Sequence, residues 1–379
     1  MEKNVSKQNI LSKAFKFFRS EPVLMVALIC MTITCFFVHP DKEYLGYFNT
    51  RTLATLFCTL AVVEAFGNIH IFEIISKNII IKLHTLRLAT LALVFITFFG
   101  SMVLANDMAL LTFLPLGFFV LDKTDNRDHM AFTFIMQNIA ANLGGMLTPF
   151  GNPQNLYLYA YYNIPTKEFN LIMLPPFIVS TVLIAVFCLF VPNKPLTLTK
   201  DTEYKTDKTR TILYSILFIF SVLIVFRVVN YIIGTCIVII ALFILDKRAL
   251  KTVNYPLLLT FCAFFVFSGN LSRIESVNNF LSVLLPKNTL LFGIISCQMI
   301  SNVPSAVLLS HFTVNYAALL PAVNIGGLGT LIASLASLIT FTEFKKHNTK
   351  KAVHRYFFLF TAINVFFIAV LYFTEKIFV

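Results

Sequence analysis

Asn142-Leu143-Gly144-Gly145-Met146-Leu147-Thr148-Pro149-Phe150-Gly151-Asn152-Pro153 and Asn324-Ile325-Gly326-Gly327-Leu328-Gly329-Thr330-Leu331-Ile332-Ala333-Ser334-Leu335 are two versions of one unusual stretch. Asn, Gly, Gly and Thr recur at the same spacing, each 182 positions later. Each copy interrupts a long apolar segment with small and polar residues. A second pair of interruptions precedes them, Ala105-Asn106-Asp107 and Ser301-Asn302-Val303-Pro304-Ser305. Broken hydrophobic segments at matching places in two halves are the sequence mark of a midplane binding site in a secondary transporter.

Working outward, the composition is that of a membrane protein. Of 379 residues, 58% are hydrophobic and 13% charged, where a soluble domain carries about 25% charged residues. The mean hydropathy is +0.80. Apolar runs cover 22–38, 52–67, 86–121, 131–161, 172–192, 211–227, 230–246, 256–270, 289–310, 316–341 and 354–374. Runs this long exclude a porin-like barrel, whose strands alternate and span about ten residues. The seven cysteines fall inside apolar runs without a CxxC pair, which reads as buried, unreactive thiols.

The charge pattern orients the chain. With the N-terminus inside and with 86–121 and 289–310 as re-entrant hairpins, nine runs cross. The cytoplasmic segments then hold 23 Lys and Arg, the outer segments 6, and Arg227 falls in an apolar region. This asymmetry follows the positive-inside rule. It also accounts for the net charge of +12 without nucleic acid as a partner. The expected fold is all-α and polytopic, with two inverted-topology repeats, each holding a re-entrant hairpin and a broken helix. Residues 1–21 form a cytoplasmic segment, 22–192 the first half with broken helix 131–161, 193–210 a cytoplasmic linker, and 211–379 the second half with broken helix 316–341. The second half has three crossings before its hairpin and the first only two, so 69–84 reads as a degenerate or interfacial remnant.

The breaks are where the chemistry is expected. Glycine costs about 1 kcal/mol and proline about 3 kcal/mol in a helix interior, so neither stretch can be one continuous helix. Half-helix N-termini suit an anion, while unwound carbonyls and helix C-termini suit a cation. Asn106, Asn142, Thr148, Asn152, Asn302, Ser305, Asn324, Thr330 and Ser334 are the expected substrate-binding residues. Asp107 is the sharpest single residue, a carboxylate at the turn of an otherwise apolar hairpin. A central aspartate costs about +2.5 to +3.5 kcal/mol on insertion scales, so it must face a wet or paired site. It can exchange a proton, bind Na⁺ with Asn106 and the Gly151 carbonyl, cap the second hairpin arm, or touch substrate. The second tip has Val303 at the matching place, so a carboxylate role is one-sided. Glu64 reads as snorkelling to the interface. Arg227 and Asn230 read as anchors of a tight outer turn. No P-loop, GxSxG or HExxH sequence occurs, and the histidines have no metal spacing, so neither ATP drive nor an enzyme is expected.

Asn138-Ile139-Ala140-Ala141-Asn142-Leu143-Gly144-Gly145 running into Thr148-Pro149-Phe150-Gly151-Asn152-Pro153-Gln154-Asn155 resembles the signature of the ion transporter superfamily. Arsenite permeases, citrate and dicarboxylate symporters and NhaD-type Na⁺/H⁺ antiporters belong to it. Ser301-Asn302-Val303-Pro304 and Val323-Asn324-Ile325-Gly326-Gly327 resemble the second-half motifs. The resemblance implies substrate carboxylates bound by the tip asparagines, one cation site at Asn106 and Gly151, and another at Asn302 and Ala333. The dicarboxylate branch reads Ser-Asn-Thr at each tip, and this chain lacks both threonines. Its Asn-Asp first tip is closer to the arsenite and citrate-permease branches, where H⁺ coupling through Asp107 stands beside Na⁺. The resemblance further implies a scaffold, a mobile unit and often a homodimer. The expected protein is a secondary active transporter of a small anion or oxyanion (carboxylate or arsenite-like), coupled to H⁺ or Na⁺ and working by alternating access. A Na⁺/H⁺ antiporter of the same fold is the alternative. The expected location is the bacterial cytoplasmic membrane, multi-pass, with the N-terminus inside and no cofactor beyond a coupling ion.

Overall fold

Apolar runs punctuated by capping residues set the helix starts. Thr85, Asn288, Asn315, Asn254, Asn230 and Ser334 each precede a helix and accept a backbone N–H from its first turn. The computed structural model describes residues 21–72, 74, 82–196 and 207–378. The expectations for the basic N-terminal segment before Glu21, for 197–206 of the linker, and for 73 and 75–81 of the interfacial remnant lie outside the described residues.

The helices run in the order α1 (Pro22–Phe37), α2 (Tyr44–Tyr47), α3 (Thr50–Asn68), α4 (Leu86–Leu104), α5 (Asn106–Lys123), α6 (Met130–Gly144), α7 (Pro153–Tyr161), α8 (Thr166–Leu189) and α9 (Lys208–Val225). They continue as α10 (Tyr231–Leu245), α11 (Lys247–Thr252), α12 (Tyr255–Arg273), α13 (Glu275–Leu284), α14 (Thr289–Ile300), α15 (Asn302–Ser310), α16 (Tyr316–Ile325), α17 (Leu335–His347) and α18 (Lys350–Phe378). Among the described residues the fold is all-helical apart from one isolated bridge, Thr85 to Pro195, which ties the start of the linker to the base of α4.

Six helices are long and apolar enough to cross a membrane: α3, α4, α8, α9, α12 and α18. Five of these are expected crossings, and α4 is the first arm of the expected hairpin 86–121. The shorter apolar pieces include α1, α10, α14 and α16. The apolar stretch 131–161 contains α6 apart from Met130, and α7; the stretch 316–341 contains α16 and the start of α17. The outer faces of α9 and α10 carry exposed Ile212, Ile216, Ile219, Ile233, Ile240 and Ile244, a surface suited to hydrocarbon. The cysteine expectation holds in part. Cys58, Cys188 and Cys297 are buried, whereas Cys236 is exposed on α10.

Packing positions the site through reciprocal contacts. α4 packs on α5 and α6, and α14 packs on α15 and α16. The second arm α5 packs on α17, and its counterpart α15 packs on α7. α6 touches α17, and α16 touches α7. Each helical hairpin therefore lies against the broken segment of its own half and against the second half-helix of the other. Around them, α3 packs on α9, α10 and α11, while α1 lies along α12.

Candidate functional site

Both hairpins turn on a single residue. Ala105 has φ 64 and ψ 151, and Ser301 has φ 75 and ψ 158. This region is nearly exclusive to glycine and costs about 1–3 kcal/mol. The same strained turn at both tips makes Asn106 and Asn302 the first residues of the following helices. Each asparagine folds its Oδ1 over its own helix start. Asn106 accepts the Asp107 N–H at 3.0 Å, and Asn302 accepts the Val303 N–H at 2.9 Å.

The breaks repeat one local design. Asn142 Nδ2 donates to the Asn138 carbonyl at 3.1 Å, and Asn324 Nδ2 to the Leu320 carbonyl at 2.8 Å. Thr148 Oγ1 donates to the Met102 carbonyl at 2.9 Å, and Thr330 Oγ1 to the Gln298 carbonyl at 3.5 Å. The Gly151 N–H bonds the Thr148 carbonyl at 3.2 Å, and the Ala333 N–H bonds the Thr330 carbonyl at 3.1 Å. Glycine is required where the first half-helices meet the hairpins. A Cβ on Gly144 would stand 2.7 Å from Ser101 Oγ, and one on Gly326 would stand 2.7 Å from Cys297 Sγ.

Buried amides join the two breaks. Asn152 Nδ2 donates to the Asn142 carbonyl and to Asn324 Oδ1, both at 3.0 Å. Gln154 Nε2 donates to the same Asn324 Oδ1 at 3.1 Å, and Asn324 Nδ2 donates to Asn155 Oδ1 at 2.6 Å. Asn106 Nδ2 reaches Asn142 Oδ1 at 3.2 Å, which links the first tip to the network. From Asn138 the chain of amides passes to Ser337 at 3.3 Å and on to Ser334 at 2.9 Å. A Cβ on Gly327 would lie 2.9 Å from Asn302 Nδ2 and 3.3 Å from Asn142 Oδ1, so the second tip closes over the same centre. Three buried polar atoms there have no partner among the described residues: Asn152 Oδ1, Gln154 Oε1 and Asn302 Nδ2. Buried polar groups are rarely left unpaired, so these atoms call for water or ligand.

Beside this centre runs a narrow cleft of about 30 Å³, room for roughly one water. Asn106, Asp107, Ser301, Asn302 and Val303 line it, which brings both tips to one place. Pro153 and Leu335 line it too. The first residues of four helices, α5, α7, α15 and α17, therefore face one cleft. Its remaining wall comes from Glu21 and Leu24 at the start of α1 and from Asn254 to Thr260 of α12. Asp107 is 7% exposed and has no ion-pair partner among the described residues.

The other expected residues lie around the cleft in supporting positions. Ser305 bonds Ser296 Oγ at 2.9 Å and braces the two arms of its hairpin. Thr148 and Thr330 hold the unwound links against the hairpin arms. Ser334 caps α17 through the Ser337 N–H at 3.2 Å. The Ala333 carbonyl meets Asn302 directly, accepting its N–H at 2.9 Å and Ser301 Oγ at 3.3 Å. Gly151 is buried next to Gly145 in the first link. Among the described residues no cluster of His, Cys, Asp and Glu can hold a metal, so a cation here would rest on Asp107, amide oxygens and carbonyls.

Sequence reasoning missed Gln298, whose Nε2 donates to the Gly326 and Leu328 carbonyls at 2.8 and 2.9 Å and whose Oε1 accepts the Thr330 N–H at 2.9 Å. A lone glutamine in the apolar run of α14 was the available signal. Asn138 and Gln154 stood inside the quoted motif. Thr260 and Asn254 left no local signal, because their place is set by the packing of α12. Arg227 does anchor a turn, with φ 65, and more besides. Its Nη2 donates to the Tyr159 carbonyl at 2.6 Å and its guanidinium lies 4.5 Å from the Tyr159 ring, at the C-terminal end of α7. A cation there complements the helix dipole.

A family model described as "Citrate transporter" matches residues 14–322. The uncharacterized transporter MJ0456 of Methanocaldococcus jannaschii is 34% identical over 332 residues, 86% of this chain and 90% of the relative. The inner membrane protein YbiR of Escherichia coli is 27% identical over 324 residues, 83% of this chain and 85% of the relative. The match covers α1 through most of α16, and so includes both tips and the whole of the first break. With its multi-pass helices and the paired breaks described above, the chain belongs to the citrate transporter family, a branch of the ion transporter superfamily, and is a secondary transporter rather than an enzyme.

Proposed function

We propose that this transporter carries a small anion, a carboxylate or an oxyanion, in symport with H⁺ or Na⁺ across the cytoplasmic membrane. One observation carries the reading: Asn106, Pro153, Asn302 and Leu335, each the first residue of a helix, line one cleft. Each helix start contributes roughly +0.5 elementary charge. Four of them favour a negative ligand. Asp107 in the same cleft opposes it. Two unit charges about 4 Å apart interact by about 4 kcal/mol at an effective dielectric near 20. The anion therefore binds well only when H⁺ or Na⁺ neutralises Asp107, and that dependence is the coupling. The unpaired Asn302 Nδ2 donates to substrate, while Asn106 and the Gly151 carbonyl complete the cation site. Asn302 and Ala333 offer a second cation position once the tip moves off the Ala333 carbonyl.

The hairpins are re-entrant arms of two inverted repeats, and α4 to α8 with α14 to α18 form the mobile unit. With the basic segments inside, Glu21 and Asn254 lie toward the cytoplasm and the cleft opens inward in this conformation. Its narrowness requires the tips to part from α1 and α12 before substrate enters. Alternating exposure then follows from sliding or rocking of the mobile unit. A Na⁺/H⁺ antiporter remains the second reading, favoured by the buried Asp107 carboxylate in the cleft. A substrate-panel thermal-shift screen on the purified protein tests the anion reading: a carboxylate or oxyanion stabilises it more strongly when H⁺ or Na⁺ is abundant. Stabilisation by Na⁺ with no response to any anion would favour the antiporter.

A further inference from the structure

A second cleft, of about 930 Å³, opens between the start of α6 and the first turns of α18. It is within the usual size of ligand pockets, roughly 300–1,000 Å³. Asp128 and Arg355 form its polar end, and Phe132 and Phe358 its apolar wall. Arg127, also at the rim, is occupied by an ion pair with Asp122 and lies over the Phe118 ring. Arg355 and Asp128 are both exposed and have no ion-pair partner among the described residues. Tyr356 is fully buried, its ring 4.3 Å from Phe344, and its hydroxyl has no hydrogen-bond partner among the described residues. The cleft thus offers one free cation and one free anion above an apolar groove.

Depth identifies the kind of ligand. α18 has 29 residues, a length of about 43 Å at 1.5 Å per residue. The hydrocarbon core is about 30 Å thick, so the first turns of α18 stand at headgroup level. The charge pattern assigns this end to the cytoplasmic leaflet. Phe358, 69% exposed, continues the wall toward the hydrocarbon. A free phosphate has no use for that wall.

We propose that this cleft binds an aminophospholipid of the cytoplasmic leaflet, its phosphate on Arg355, its ammonium on Asp128, and one acyl chain along Phe132 and Phe358. A zwitterionic headgroup satisfies both free charges, which an anionic headgroup does not. The lipid fills the crevice between α18 and α6, the half-helix that carries Asn142 at its far end.

Purified protein in detergent is titrated with phosphatidylethanolamine, phosphatidylglycerol, phosphatidylcholine and soluble glycerophosphoethanolamine, with bound lipid counted by native mass spectrometry and stability by thermal unfolding. Phosphatidylethanolamine is expected to bind and stabilise most, and the soluble headgroup to do neither. A basic residue near the membrane is worth about 1 kcal/mol, so Arg355→Gln weakens retention about fivefold, and Asp128→Asn erases the preference over phosphatidylcholine. Lys376→Gln, at the opposite end of α18, leaves both unchanged. Equal binding of phosphatidylglycerol overturns the zwitterion assignment, and full binding of the soluble headgroup overturns the lipid. Undiminished retention in Arg355→Gln overturns the site.

Discussion

Asn152 reaches out of the first helix break and donates to Asn324 in the second at 3.0 Å. It occupies the N-cap position of α7, yet its side chain caps nothing there. The local role has been given up for a long-range one, and the centre of the molecule is a single amide network. The same network ties the first tip, through Asn106 and Asn142, to both links.

Asn324 is the most connected member. Its Oδ1 accepts from Asn152 and Gln154, and its Nδ2 donates to Asn155 and the Leu320 carbonyl. Asn324→Asp keeps the shape but sets oxygen against Asn155 Oδ1 and the Leu320 carbonyl. Each orphaned buried group costs about 1–3 kcal/mol, so thermal unfolding in detergent should fall well below wild type. An unchanged midpoint would mean the network bears no load.

The tips store strain that glycine relieves. Ala105→Gly removes a penalty of about 1–3 kcal/mol against a flexibility cost of about 0.5–1 kcal/mol. The net effect should be a modest rise in unfolding midpoint. A fall would show that the Ala105 backbone is unstrained.

Gly144 marks the crossing of α6 and α4. A methyl group there would collide with the Phe98 carbonyl, which is backbone and cannot turn aside. Overpacking of this kind costs about 1–3 kcal/mol. Gly144→Ala should lower the unfolding midpoint and the yield of folded protein. Wild-type stability would contradict the close approach.

At the C-terminal end of α12, the Arg273 guanidinium grips Asp41 with contacts of 3.1 and 2.7 Å and holds its carboxyl below the usual aspartate range. The folded value is depressed, so the bridge stabilises above the ordinary aspartate range, about pH 4, and is lost as pH falls through the folded value. The gap in unfolding midpoint between wild type and Asp41→Asn should be present at pH 6 and shrink as pH falls below the ordinary aspartate value. A gap that persists in acid would assign the effect to packing.

Sequence made the breaks and tips legible for a physical reason. Gly, Pro and Asn inside apolar runs violate every local rule, and such violations collect at functional sites. Asn142, Asn152 and Asn324 were found because they stand in those violations. Gln298 was not, since one glutamine in an apolar helix looks the same whether it braces a link or faces water. The α12 wall of the cleft was illegible because Thr260 and Asn254 are brought there by tertiary packing alone. The depth of α4 is similar. At 19 residues it is long enough to cross, and two full crossings return to the same side as a re-entrant hairpin, so the flanking charges read the same for both.

Asp107 sits where the tip meets the cleft. Asp107→Asn mimics the neutral carboxyl, so anion binding in a thermal-shift assay should lose its dependence on pH or Na⁺. Concentrative uptake should vanish while the protein stays folded. Unchanged coupling would remove Asp107 from the coupling site.

Proteoliposomes give the direct measurement. Uptake of labelled citrate, other carboxylates and arsenite is followed under imposed pH and Na⁺ gradients, with ion flux recorded with and without anion. The account expects ion movement that requires the anion and anion accumulation that requires the gradient. Exchange of Na⁺ for H⁺ at full rate with no anion present would contradict it.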